Sequence, residues 1–81
     1  MSDQDILQTI TQLVNNEHDL REQGARGELS VDDEHGRLVE LERSLDQCWD
    51  LLQQRRARRQ LGQDADDAAV RPGQQVEGYQ Q

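Results

Sequence analysis

One dipeptide occurs twice in this chain, as Glu17-His18 and Glu34-His35. Carboxylate and imidazole together can ligate zinc or another divalent ion. The spacing is not the Glu-x-x-His of di-metal helix bundles, and each His bonded to a carboxylate would satisfy the same groups without metal. Arg55, Arg56, Arg58 and Arg59 form the one dense basic cluster. Four arginines on nearly two turns can grip phosphates, or they can complement the negative end of a helix dipole. The only Cys, Cys48, falls on an apolar stripe, where a thiol behaves as a small hydrophobe. There is no phosphate-binding Gly loop, CxxC, HExxH or dinucleotide fingerprint. Ser2, Ser30 and Ser44 have no triad context. The chain is therefore read as non-enzymatic, with no cofactor expected.

Two helices must position these groups. Ser2 is an N-cap candidate, with Asp5 in the capping-box position. Ile6, Leu7, Ile10, Leu13, Val14 and Leu20 then recur at spacings of three and four, which places them on one helical face. This predicts a helix over about residues 3–23, ending near Gly24. Glu17 interrupts the apolar face, and Arg21 one turn later is its expected ion-pair partner. Residues 24–29, GARGEL, read as a loop. Ser30 is the next N-cap, and Asp32, Asp33 and Glu34 suit the positive end of a dipole. Val31, Leu38, Leu41, Leu45, Cys48, Trp49 and Leu52 form the second stripe. The second helix is expected over about 31–60, with Gly62 ending it.

A loop of about six residues makes the helices antiparallel neighbours. With the turn centred at residue 26 or 27, Val14 pairs with Val39, Ile10 with Arg43, and Asp3 lies level with Asp50. The second helix then extends beyond the first by about 15 Å. In that register Leu45, Cys48, Trp49 and Leu52 complete the core, while Leu51 and the four arginines lie on the overhang.

The composition changes after Gly62. Asp64, Asp66 and Asp67 form an acidic run, and Pro72-Gly73 marks a turn. Val70, Val76 and Tyr79 could anchor this tail on the overhang, with one of the three aspartates near the arginines. The chain thus divides into a helical hairpin over 1–61 and an acidic, mostly irregular tail over 62–81.

These residues resemble a family of short actinobacterial proteins catalogued only as a domain of unknown function. The resemblance runs through EHDL, GELS and DDEHGRL to LDQCWDLLQQRRARR and VRPGQQVEGYQQ. LDQCWDLL with RRARR is its most specific part, supported by VEGY. Gly36 stands where that pattern usually has Ala, a change that weakens a helix by up to about 1 kcal/mol. The resemblance implies a family and brings no catalytic residues with it.

The bulk numbers point to association. Hydrophobic residues are 32% of 81, aromatics 2%, and Phe is absent. So thin a core makes a small domain marginal, and self-association is a common remedy. The expected assembly is a homodimer of all-α hairpins in a four-helix arrangement. It would serve as a protein-interaction module through Trp49, Leu51, Leu52, Arg55, Arg56, Arg58 and Arg59. The alternative is a small metal-binding protein or sensor using Glu17, His18, Glu34 and His35. A net charge of −8 disfavours nucleic acid and anionic membranes. The acidic start, MSDQDILQTITQ, lacks the features of a signal peptide. No run approaches the roughly 20 apolar residues of a membrane span. One unpaired Cys fits a reducing compartment, so the expected location is the cytoplasm.

Overall fold

A computed structural model describes residues 2–71, and the anchors suggested at Val76 and Tyr79 lie outside them. Helix α1 runs Asp3–Ala25 and helix α2 runs Val31–Gln60. They pack as an antiparallel hairpin, and a short 3-10 turn at Ala65–Asp67 follows. Among the described residues there is no strand.

The expected start signals operate. Ser2 Oγ accepts from the Asp5 amide at 3.1 Å, and the Asp5 carboxylate accepts from the Ser2 amide at 3.0 Å. Two orphan donors at the head of α1 are thereby satisfied. Ser30 Oγ accepts from the Asp33 amide in the same way at α2. Gly62, with φ 74°, ends α2 as expected, and Gln63 N donates to Arg58 O at 2.7 Å.

Gly24 has a different role from the expected one. Helix α1 continues to Ala25, and the positive φ, 74°, belongs to Gly27. Gly24 lies under the end of Glu34: a Cβ there would be 2.4 Å from the Glu34 carboxyl carbon, and that flexible side chain would have to swing aside. The longer α1 moves the centre of the turn to about residue 28. The helices consequently slide by about three or four residues, roughly 5 Å. Asp3 meets Arg55 and Arg59 rather than standing level with Asp50.

That slide, together with the azimuth of α2, corrects the core assignment. Leu51, expected on the overhang, is buried with Ile6 and Ile10, and Leu45, Cys48, Leu52 and Ala68 pack around them. Trp49, expected in the core, is 41% exposed. At 100° per residue the two side chains point about 160° apart, so burying one turns the other outward. Near the turn, Leu20 is the buried residue.

Candidate functional site

At the turn end, the four candidate metal ligands are engaged separately. Glu17 accepts from Arg21 at 3.1 Å, the ion pair expected from the break in the stripe. His18 Nε2 lies 3.2 Å from Glu22 on its own helix. The Glu34 carboxylate packs over Gly24, and His35 is exposed. Among the described residues, no group of three or more His, Cys, Asp or Glu comes together in a way that could hold a metal ion.

The open end is built differently. Arg55 is 7% exposed despite its charge, and three acceptors explain how. Its guanidinium donates to Asp3 Oδ1 at 2.5 Å, Asp66 Oδ1 at 2.9 Å and Ala65 O at 3.3 Å. Arg59 donates to both oxygens of the same Asp3. The head of α1, the end of α2 and the first residues of the tail are thereby clasped together. Hydrogen bonds from Arg59 and Arg55 hold the Asp3 carboxyl down to about 2. Arg55 also lowers the Asp66 pKa. Arg58 reaches only Gln63 Oε1, at 3.4 Å. The Arg cluster is therefore mostly structural: Arg55 is not surface at all, and Arg56 is the member that faces solvent without an acidic partner among the described residues.

After the 3-10 turn, the chain runs back along α2 as an extended strap. Gln54 Nε2 donates to Ala69 O at 2.7 Å and Gln47 Nε2 to Arg71 O at 3.2 Å. Arg71 forms a two-pronged ion pair with Asp50, its Nε lying 2.8 Å from Oδ2. Asp50 is fully buried, and Gln54 donates to it as well, at 2.8 Å. Hydrogen bonds from Arg71 and Gln54 outweigh desolvation, so the Asp50 pKa is lowered. Of the tail aspartates, Asp66 does meet the arginines. Val70 is 60% exposed and anchors less than the polar groups do.

The strap defines two sides of the hairpin. On its own side lies a cleft of about 270 Å³ lined by Ile6, Thr9, Leu13, Gln47, Cys48 and Val70, among others. Burial pushes the Cys48 thiol up, the reverse of what an activated nucleophile needs. Thr9 and Gln47 line this cleft, so residues rotated the other way from each helix's buried line share the opposite face. Those are Leu7 and Val14 on α1, and Leu45, Trp49 and Leu52 on α2. Leu7, Val14 and Trp49 are 47%, 50% and 41% exposed. Leu45 and Leu52 are half-buried, with their outer edges on this face. No helix among the described residues is long and apolar enough to cross a membrane.

Sequence reading missed the Asp50–Arg71 pair. A signal was present: Arg71 is the only basic residue after Gly62. It also precedes Pro72, a position that favours extended backbone.

No solved structure matches the chain. Uncharacterized proteins of Mycobacterium bovis and Mycobacterium tuberculosis are 50% identical to it over 78 residues, covering 96% of this chain and 90% of theirs. The model of a family described as "Protein of unknown function (DUF2630)" matches residues 2–81. This two-helix chain belongs to the DUF2630 family.

Proposed function

We propose that the hairpin is a non-enzymatic protein-interaction module whose docking surface is the apolar face opposite the strap. The observation that carries this reading is Trp49, the only Trp of the chain, 41% exposed. It lies in a row with Leu45 and Leu52, beside Leu7 and Val14. Single exposed apolar residues are ordinary, whereas a contiguous row around an aromatic residue marks an interaction surface. The interaction set read from sequence changes accordingly. Trp49, Leu52 and Arg56 stay in it and Leu7 and Val14 join, while Leu51 and Arg55 belong to the interior. The cytoplasm suits a protein whose one thiol is left unpaired and whose fold is clasped by ion pairs.

The test compares Trp49→Ser with Val70→Ser, an exposed change on the strap side. Both variants should retain wild-type helicity by circular dichroism. Trp49→Ser should lose association in light scattering and in affinity capture from the native host, and Val70→Ser should keep it. Retention of every interaction by Trp49→Ser would remove this face from consideration.

A further inference from the structure

The row on α2 has a symmetry that identifies its occupant. It reads Glu42, Leu45, Trp49, Leu52, Arg56, at spacings of three and four. Glu42 and Arg56 lie equally far from Trp49, two helical turns or roughly 10 Å on either side. Residues seven apart share nearly one azimuth, so both charges project from the face that carries Trp49. Both side chains are exposed, and neither has an ion-pair partner among the described residues. This sets them apart from Glu17 and Arg21, which neutralise each other farther along the same face.

We infer that this face receives a second copy of the chain, related by a two-fold axis that crosses the helices at the level of Trp49. The inference rests on the interaction reading above and names the partner. A two-fold axis makes an interface self-complementary: if one residue meets another, the reverse contact also forms. About this axis, α2 packs antiparallel on α2 of the second copy. Leu45 then meets Leu52, Trp49 meets Trp49, and Glu42 meets Arg56 at both ends. Asp3 beside Arg55, and Ile6 beside Leu51, place the same axis between Leu7 and Ile10 of α1. There the exposed Leu7 side chains of the two copies lie within one helical turn of each other across the axis. The result is a four-helix arrangement with the two straps on its outer sides.

Charge supports a second copy over other occupants. The chain carries −8 overall, which opposes self-association through most of its surface. On α2 this face is balanced, with Glu42 and Arg56 at equal distances from the axis. It is the surface on which two such acidic chains meet with opposite charges in register. Charged residues flanking an apolar seam set register and orientation in this way in helical assemblies.

Sedimentation velocity on the full chain tests the register through two single reversals, Glu42→Arg and Arg56→Glu. Each reversal places like charges together at both ends of the interface. Each variant alone should dissociate at least about tenfold more readily than wild type. An equimolar mixture of the two should recover wild-type association, because the mixed pair restores opposite charges at both ends. Circular dichroism verifies that both variants stay folded, as expected for exposed sites. A dimeric wild type whose single reversals associate normally, or whose mixture gives no recovery, overturns this register and leaves the interaction face standing. A wild type with the mass of one chain at every concentration overturns the second copy as occupant. The interaction reading itself then stands or falls by the Trp49→Ser capture.

Discussion

The two sides of α2 solve opposite problems. On the strap side, the groups that are costly to bury are buried and answered: Asp50 by Arg71 and Gln54, Arg55 by Asp3, Asp66 and the Ala65 carbonyl. On the other side, Trp49, Leu7 and Val14, which gain most from burial, remain in contact with solvent. A chain with so few apolar residues holds its fold by wrapping a polar strap around one side of a thin core. Its large apolar groups are thereby left for something else. The contrast teaches that burial in a small hairpin need not follow hydrophobicity residue by residue. It follows the register of the helices and the route of the tail.

The contrast breaks most visibly at two neighbours in sequence. Leu51→Ala removes a side chain that is 6% exposed and central to a cluster of three. It should cost about 2–4 kcal/mol, enough to unfold much of a domain this small. Trp49→Ala should change the stability of a single hairpin by less than about 1 kcal/mol, although Trp is the larger residue. Denaturant titration in dilute protein separates the two. Equal losses would mean that Trp49 is in the core after all.

The next largest effect comes from the strap. Arg71→Ala leaves the Asp50 carboxylate buried with Gln54 as its remaining side-chain donor. The penalty should be about 2 kcal/mol, below that for a fully buried pair because Arg71 is half exposed and water can reach the site. Limited proteolysis should then cut the chain after Gly62 much faster. Asp50→Asn with Arg71→Ala should recover part of the loss, since no buried charge remains.

Acid should act on the same side. Asp3, Asp50 and Asp66 all have pKa values lowered by arginine partners. A lowered folded pKa means that the stabilisation is complete above the unfolded value of about 4 and is lost as pH falls through the folded value. For Asp3 that value is about 2. Helicity should therefore hold at pH 5 and decline between about pH 4 and pH 2, and Asp3→Asn should flatten the dependence. A decline centred near pH 6 would lie above the range of all three aspartates and would contradict this assignment.

The smallest of these effects lies at the turn. Gly24→Ala should change stability by less than about 1 kcal/mol, because the helix propensity gained offsets the displacement of the flexible Glu34 carboxyl group. With Glu34→Ala in place, the same Gly24→Ala change should stabilise α1, since nothing then opposes the added methyl. Gly36→Ala, where nothing lies within 4 Å of the added carbon, should stabilise α2 by up to about 1 kcal/mol.

Both helices, both N-caps and the antiparallel pairing were legible in the sequence, because stripe spacing and Ser-Asp caps are local signals. The register was not. It depended on α1 running one residue past Gly24, to Ala25, and a Gly within a helix looks like a stop until its neighbour across the turn is known. The slide brought Leu51 level with Ile6, and α2 turns Leu51 rather than Trp49 toward α1, an azimuth that the apolar stripe did not reveal. The strap was half legible: the acidic run pointed to the arginines, and Asp66 does meet Arg55. The Asp50–Arg71 pair spans 21 residues and reverses the expected charges, with the acid on the helix and the base on the tail. The glutamate–histidine pairs showed a motif without a geometry, and each of those four residues has its own local surroundings.

Fluorescence of Trp49 tests the central claim most directly, since it is the only Trp in the chain. In dilute protein its emission should be that of a solvent-exposed indole and readily quenched by acrylamide. As concentration rises, emission should shift to the blue and quenching should fall, over the same range in which sedimentation reports two chains. Emission that is blue-shifted and protected in protein shown to be monomeric would contradict the account, because it would place Trp49 in the core of a single hairpin.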